Sequence, residues 1–348
     1  MEFLGLHKKV NNTVPLVSVC VQVYNNEEFI EKCINSILSQ KVDYHYEIII
    51  GEDDSTDSTR DICKKLATEN QDKIRLFLRR EEDKIYHKGR KTSRYNYMSN
   101  LIAARGKYIA LCDGDDYWCN KNKLEKQVLI LEENKTLIAS HHWQKNTVFQ
   151  ENRWNEVESP QEKGFGYQQK TIGNVCDIFN NNLRLKARTL MFRNIVDDSF
   201  FPDWFTKVSF ADVSLSFLLG KHGEFHFTNE EMAVYRQTNF GLSKSGLKEL
   251  GHKKFIIEHL KNYIEIWDYA NMHYNYKYHK QATATIFDFY SVIIQNTPLN
   301  LNAYFGILKY DVSERKSPFY KNFSHTAWLT NIIFNLFIKK IKKKIQKN

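Results

Sequence analysis

The sequence predicts an α/β fold in which a mainly parallel sheet is covered by helices on both faces. Strand-like and helix-like hydrophobic periods alternate repeatedly over the first 140 residues. The helical segments are long enough to cross back over a sheet, which favours parallel strands. Apolar residues make up 42% of the 348-residue chain and aromatic residues 14%, which is typical of a globular protein and excludes a largely disordered one.

The first strand and helix are marked by a change of period. Over residues 16–23 four valines alternate with smaller or polar residues, which indicates a strand. From residue 27 onward, apolar residues recur at helical spacing. The chain therefore begins its regular structure with a strand, a turn and a helix.

The same unit then repeats along the chain. Further strands are predicted at residues 47–51, 74–78, 107–112, 136–140 and 189–192, and helices at residues 55–69, 93–104, 124–133 and 214–219. Residues 144–184 show no period and many polar residues, so we expect a variable loop region there. Residues from about 244 onward have helical spacing.

This pattern divides the chain into two parts. We expect a first domain over residues 14–243, whose halves are residues 14–140 and 141–243. A helical region over residues 244–348 follows, and it ends in a basic amphipathic tail.

Charge and cysteine content restrict the cellular setting. The six cysteines form no C-x-x-C pair and the N-terminus has no apolar signal-peptide core, so we expect a protein of the reducing cytoplasm. The net charge of +9 comes largely from six lysines among the last ten residues, which follow an apolar stretch. We expect this tail to lie as a helix on the anionic inner face of the cell membrane, and we expect no nucleic-acid partner. The alternative is a frayed, solvated terminal helix.

An acidic run follows the predicted strand at residues 107–112. It consists of Asp113, Gly114, Asp115 and Asp116. Two carboxylates about 4 Å apart repel by roughly 4 kcal/mol at an effective dielectric near 20, so converging carboxylates need a cation or a proton. Oxygen ligands of this kind suit Mg²⁺ or Mn²⁺. The alternative is a solvated acidic turn before the next helix.

Two further polar features follow other strands of the same sheet. Asp53 ends the strand at residues 47–51, where its carboxylate could accept a hydrogen bond from a base N–H, and Tyr24 follows the first strand and offers a ring for stacking. In parallel sheets ligands bind beyond the carboxyl ends of the strands, so these residues should meet the acidic run. The alternatives are a helix-dipole role for Asp53 and ordinary packing for Tyr24.

Segments 17–25, 47–57 and 106–116 together resemble glycosyltransferase family 2, whose members have the GT-A fold. The resemblance implies a nucleotide-sugar donor and a divalent metal, Mn²⁺ or Mg²⁺. It also implies that Asp113 and Asp115 hold the metal and the diphosphate. The residues that it places at the nucleotide sugar are Tyr24, Asn25, Asp53, Arg94, Asp113 and Gly114. One departure from the family pattern is Asp54, where many relatives have glycine.

The resemblance also implies a later acidic residue that acts as general base toward the acceptor hydroxyl. The matching position is Asp212, although Ala211 and Val213 flank it where relatives more often have other residues. Competing positions are Asp197, Asp198 and Asp203. On the acceptor side we expect Asp116, Asp203 and Trp204.

The expected reaction is transfer of a sugar, with inversion, from a nucleotide-diphosphate sugar to a hydroxyl group. UDP is the expected nucleotide. The expected acceptor is a saccharide or a lipid-linked saccharide of a surface polysaccharide such as lipopolysaccharide or capsule. The alternatives are a magnesium-dependent phosphohydrolase and a catalytically silent nucleotide-sugar-binding scaffold.

Overall fold

The computed structural model describes residues 2–157, 170–237, 250–297, 300–303 and 305–306. The chain divides into two compact units, Met1–Ser245 and Gly246–Asn348. All six cysteines are free thiols. In the described part of the chain, every helix is too short or too polar to cross a membrane.

The first unit contains strands and helices in alternation. Its strands are β1 (Val17–Val23), β2 (Tyr46–Glu52), β3 (Ile74–Leu78), β4 (Ile85–His87), β5 (Arg90–Thr92), β6 (Tyr108–Asp113), β7 (Tyr117–Trp118), β8 (Leu137–Gln150), β9 (Arg153–Val157), β10 (Ile172–Gly173), β11 (Met191–Arg193) and β12 (Glu224–Gln237). Its helices are α1 (Ile30–Leu38), α2 (Thr59–Glu69), α3 (Arg94–Ile102), α4 (Lys123–Glu133), α5 (Val175–Phe179) and α6 (Ala211–Leu219).

Among the described residues, one large sheet has the strand order β10-β12-β8-β11-β6-β1-β2-β3, with β7 paired to β12 and β9 to β8. The pairs β6–β1, β1–β2 and β2–β3 are parallel, and so is β12–β8. The short strand β11 is antiparallel to both β6 and β8 and joins the two parallel blocks. The predicted mainly parallel sheet is therefore confirmed.

Helices cover both faces of the sheet around β1. The valines of β1 pack in one buried cluster with apolar residues of α1, α2 and α4. On the opposite face, the side chains of Asn96 and Asn100 in α3 donate to the carbonyls of Gly51 (2.8 Å) and Val21 (3.2 Å). A Cβ at Gly51 would lie 2.0 Å from Oδ1 of Asn96, so only glycine allows α3 to approach this closely.

The prediction of a variable loop over residues 144–184 is wrong for its first part. Strand β8 continues to Gln150 and turns back into β9, and β10 and α5 follow after residues 158–169, which lie outside the described residues. Polar side chains in this strand interrupt the apolar period that would have predicted it, and they are hydrogen-bonded inside the fold. Nε2 of Gln144 donates to Oδ1 of Asn146 (2.7 Å). Buried amides that bond each other do not show an apolar period.

The second unit contains α7 (His252–His273) and α8 (His279–Asn296), which confirms the predicted C-terminal helices. Their contact is aromatic: the rings of Tyr263 and Trp267 lie 5.7 and 5.4 Å from the ring of Phe289. The basic tail lies outside the described residues.

Candidate functional site at the carboxyl edge of the sheet

Backbone hydrogen bonds hold the three predicted polar features at one edge of the sheet. The N–H of Asp53 donates to the carbonyl of Val23, and the N–H of Gly114 donates to the carbonyl of Gln22, both at 2.9 Å. The ladder therefore continues one residue beyond the ends of β2 and β6. Tyr24 follows the central strand β1, between Asp53 on one side and the acidic run on the other.

Asp53, Tyr24 and Lys84 form one end of this edge. The carboxylate of Asp53 is 3.0 Å from Nζ of Lys84, which also donates to the Asp53 carbonyl. The same ammonium lies 4.8 Å from the ring centre of Tyr24, which is 49% exposed. Burial raises the pKa of Asp53, and Lys84 opposes that effect. Lys84 precedes the β4–β5 hairpin, and nothing in the local pattern had identified either feature.

Asn25 fixes the loop after β1 to the loop after β2. Its backbone N–H donates to Oγ of Ser55 (3.0 Å), and its side-chain oxygen accepts from the N–H of Thr56 (2.9 Å). Asn25 itself has φ of 50°, in the left-handed region that asparagine tolerates better than most residues. Asn25 thus holds Tyr24 in place, and its amide oxygen is already engaged.

The departure at Asp54 has a clear structural consequence. Asp54 has φ of 62°, which is the conformation that glycine adopts without cost. Its carboxylate lies 3.0 Å from the guanidinium of Arg60, which also pairs with the buried carboxylate of Glu52. Arg60 thus holds Asp54 and Glu52 together at the turn after β2.

Asp113 and Asp115 differ from Asp116 in that neither carboxyl forms an ion pair with a described residue. Burial, together with repulsion from Asp116 and Asp115, raises the pKa of Asp113 to about 8. Burial and repulsion from Asp116 raise the pKa of Asp115 to about 7. Both carboxyls are therefore poised to give up a proton when a cation arrives.

Asp116 is buried and ion-paired, which corrects the expectation that it faces the acceptor. Its side chain is 0% exposed; one carboxylate oxygen pairs with Nε of Arg188 and the other accepts from the backbone N–H of Arg236 (3.0 Å). The guanidinium of Arg236 also donates to the carbonyls of Asp115 and Asp116. These two arginines shape the acidic loop. No local sequence signal identifies Arg188, which is 72 residues from Asp116 along the chain.

Gly114 allows the acidic loop to press against the end of β1. A Cβ at this position would lie 2.7 Å from Oδ1 of Asn26 and 3.2 Å from Cγ2 of Val23. A larger residue would push the loop outward, away from Tyr24. The glycine is thus needed for close approach and not for an unusual φ.

Asp212 lies in the first turn of α6 and joins the site electrostatically. Its negative charge helps to raise the pKa of Asp113, so the two carboxylates interact. Burial raises the pKa of Asp212 itself, while the N–H of Val213, which donates to it at 2.9 Å, and the charge of Arg188 lower it. The preceding Phe210 has φ of 56°, a strained conformation for a bulky residue, and such strain is frequent at functional sites.

Arg94 is buried at the start of α3. Its Nη2 donates to the carbonyl of Val208 (2.6 Å) and its guanidinium lies 4.6 Å from the ring centre of Phe205. Burial lowers its pKa to about 10, and the charge of Asp212 opposes the shift. With 5% exposure Arg94 is not a solvated surface arginine, and it ties α3 to the segment before Asp212.

Asp203 and Trp204, the two other residues expected on the acceptor side, differ in exposure. Asp203 is exposed, whereas Trp204 is only 8% exposed and packs beside Phe205. Asp203 is therefore open to a ligand from solvent, whereas Trp204 is largely covered by protein. Asp197, a competitor for the general base, is occupied by the N–H and hydroxyl of Ser199 at 2.8 and 2.7 Å.

The donor atoms suit a divalent metal that is shared with a ligand. Asp113 and Asp115 supply oxygen ligands only, and burial together with the charge of Asp116 raises the pKa of both, so a bound cation would stabilise their ionised forms. Across the described residues, no group of three or more His, Cys, Asp or Glu side chains is arranged to hold a metal alone. Mg²⁺ commonly binds through one or two carboxylates plus substrate phosphates, so the residues fit such a site.

Comparison with known proteins identifies the family. A family model described as "Glycosyl transferase family 2" matches residues 18–189. These residues form a glycosyltransferase family 2 domain. The match covers β1 to the residues just before β11 and so includes Tyr24, Asp53 and the acidic run.

Two curated relatives of this family 2 domain come from Bacillus subtilis strain 168. "Putative teichuronic acid biosynthesis glycosyltransferase TuaG" is 34% identical over 130 residues, which is 37% of this chain and 47% of TuaG. "Putative glycosyltransferase EpsE" is 38% identical over 124 residues, which is 36% of this chain and 41% of EpsE. The alignments thus span less than half of these relatives' own lengths.

The fold extends the likeness beyond the aligned sequences. The solved structure of "Mannosyltransferase PcManGT from Pyrobaculum calidifontis in complex with GDP-Man and Mn2+" has a TM-score of 0.51 and 15% identity, covering 95% of this chain and 88% of PcManGT. At that identity the likeness concerns the fold alone. The family 2 domain has the GT-A fold, as the resemblance implied.

Proposed function

We propose that this chain transfers a sugar from a nucleotide-diphosphate sugar to a hydroxyl group of an acceptor, with inversion at the anomeric carbon. One observation carries the proposal: Asp113 and Asp115, both with raised pKa values, lie at the same sheet edge as Asp53 and Tyr24, and the charge of Asp212 in α6 acts on Asp113. Such a concentration of perturbed carboxyls is typical of catalytic sites.

The proposed roles follow the position of each side chain. The exposed ring of Tyr24 stacks on the base, and Asp53 accepts a hydrogen bond from it. Asp113 and Asp115 hold Mn²⁺ or Mg²⁺ beside the diphosphate. When bound, this cation supplies positive charge to the diphosphate as it leaves.

Asp212 is the proposed general base. Its carboxylate takes the proton of the acceptor hydroxyl while the acceptor oxygen forms a bond to the anomeric carbon. The bond from that carbon to the diphosphate oxygen breaks at the same time, and the nucleoside diphosphate leaves with its electron pair. A single displacement of this kind inverts the anomeric configuration.

The finer assignments rest on the relatives and on the tail. We propose UDP as the nucleotide and a saccharide or lipid-linked saccharide of a bacterial surface polysaccharide as the acceptor; the name of TuaG, which includes teichuronic acid biosynthesis, supports this class. We also propose that residues 14–243 are the catalytic domain and that residues 244–348 bring it to the inner face of the membrane through the basic tail.

Thermal unfolding with nucleotide sugars tests the donor half of the proposal. UDP-, GDP- and dTDP-sugars are added to the full chain with and without MnCl₂. A ligand at 100 times its Kd stabilises the folded state by about 2.7 kcal/mol, a shift that melting curves resolve easily. We expect a manganese-dependent shift for at least one sugar nucleotide and its loss in Asp115→Asn.

The alternatives give different results in the same experiment. If no nucleotide sugar raises the melting temperature of the wild-type chain, the proposal fails. Release of phosphate from simple phosphoesters would instead favour the phosphohydrolase. Donor binding with neither transfer nor donor hydrolysis would favour the scaffold.

A further inference from the structure

Three aromatic rings form a cluster at the β8–β9 hairpin. Phe149 and Trp154 lie directly opposite each other across the two strands, with ring centres 5.4 Å apart. Phe29, just before α1, lies 6.0 Å from Trp154. Phe149 is 44% exposed, and the other two rings are partly exposed. We name Phe29, Phe149 and Trp154 the hairpin aromatic cluster.

The hairpin presents these rings on a defined backbone. Its turn residues Glu151 and Asn152 have φ of 53° and 59°, the pair of positive values found in two-residue type I′ turns. Such turns match the twist of the flanking strands and fix their register. The turn itself is exposed and polar, so it places hydrogen-bonding groups beside the rings.

Arg236 connects the hairpin aromatic cluster to the acidic loop. Its Nη2 donates to the carbonyl of Phe29 (3.1 Å), its Nε donates to the carbonyl of Asp115, and its guanidinium lies 4.7 Å from the ring centre of Phe29. One side chain thus touches both features. The hairpin aromatic cluster and the loop that carries Asp115 are therefore bridged by a single side chain, Arg236.

We propose that the hairpin aromatic cluster binds a pyranose ring of the saccharide acceptor. One face of a pyranose carries C–H groups, and these pack on the electron-rich faces of aromatic rings. Sugar hydroxyls at the rim of the ring need polar partners, which the turn beside the cluster supplies. A ring held there would be linked to the acidic loop through Arg236, which contacts both Phe29 and the Asp115 carbonyl. This inference rests on the proposed function and names the acceptor subsite of the same reaction.

Saturation-transfer NMR on the full chain tests the subsite directly. The probes are the methyl β-glycosides of glucose, galactose and N-acetylglucosamine. The variants are Trp154→Ala, Phe149→Ala and Trp154→Tyr, which keeps an aromatic ring. Tyr276→Ala is the control, because Tyr276 is an exposed aromatic residue (57%) of the second unit. Melting curves with UDP-sugars and MnCl₂ are recorded for each protein.

We expect at least one glycoside to bind the wild-type chain, with the strongest saturation on its ring C–H protons. Trp154→Ala and Phe149→Ala should weaken this binding about tenfold, equivalent to ~1.4 kcal/mol, whereas Trp154→Tyr and Tyr276→Ala should stay close to wild type. The donor-dependent melting shift should persist in all four variants.

Two results would overturn the inference: no glycoside binds the wild-type chain, or Trp154→Ala and Phe149→Ala bind as wild type does. In either case a persisting donor-dependent melting shift would leave the proposed function standing. Absence of a donor-dependent melting shift in the wild-type chain would instead contradict the proposed function. The two failures are therefore distinguishable.

Discussion

Binding of Mn²⁺ at Asp113 and Asp115 should be strongly linked to pH. The metal-free carboxyls have raised pKa values, about 8 for Asp113 and about 7 for Asp115, because burial and repulsion from Asp116 disfavour their charged forms. A metal ligand must be deprotonated, so binding releases the protons that these groups hold. Affinity should therefore rise as pH rises.

The size of the effect follows from the two pKa values. At about pH 6 both carboxyls are almost fully protonated, whereas at about pH 8 Asp115 is mostly ionised and Asp113 about half ionised. The apparent affinity should therefore increase by roughly two orders of magnitude between these pH values. Ligands with ordinary aspartate pKa values would give almost no change over the same range.

Calorimetric titration of the full chain with MnCl₂ and UDP measures this linkage. Repeating the titration at about pH 7 in buffers of different ionisation enthalpy gives the number of protons released, which should be between about one and two. The pH dependence of UDP binding without metal supplies the baseline. In Asp113→Asn, proton release should fall because only Asp115 still titrates. A metal affinity that is independent of pH, or no proton release, would refute the reasoning.

Three further predictions concern Asp212, Asp116 and the acidic run. Asp212→Asn should lower kcat about 10²–10⁴-fold and leave the donor-dependent melting shift unchanged, because only proton transfer is lost; an unchanged kcat would remove Asp212 as the base. Arg188→Met should lower the free energy of unfolding in urea by about 3–5 kcal/mol, because it leaves the buried Asp116 carboxylate without its partner. The control Lys135→Met breaks an exposed pair with Glu132 and should lower it by less than about 1 kcal/mol. Equal losses in the two variants would contradict this account. The metal-free protein should lose stability as pH rises from about 4 to about 8, since the folded state holds more protons than the unfolded chain. MnCl₂ with UDP should remove this loss. A melting temperature that does not change across that pH range would contradict the prediction.

Much of the first half of the fold could be predicted from sequence because its strands and helices are separated by clear changes of period. The valines of β1 and the apolar positions of α1 face one core, and each sits where its own local pattern places it. The placement of Tyr24, Asp53 and Asp113 at one edge also follows, because parallel strands bring their carboxyl ends together. The resemblance to glycosyltransferase family 2 then implied a role for each of these three residues.

The prediction failed where polar residues are buried. Gln144 lies inside β8 and accepts from the guanidinium of Arg188 at 2.7 Å, so a stretch that reads as a loop is a strand. From the sequence pattern Asp116 would be a third exposed carboxylate of the acidic run. In the structure it pairs with Arg188, which is 72 residues away in sequence. Partners this distant leave no periodic signal in either segment.

The sequence by itself determined the layered α/β architecture, the acidic run and its position after a buried strand, because these depend on local spacing. Tertiary structure alone decided which carboxylates stay unpaired: Arg188 and Arg236 bind Asp116 and leave Asp113 and Asp115 with raised pKa values. It also decided that Phe29 and Trp154, 125 residues apart, belong to one surface. The physical reason is that desolvation and ion pairing act between groups that are close in space, whatever their separation along the chain.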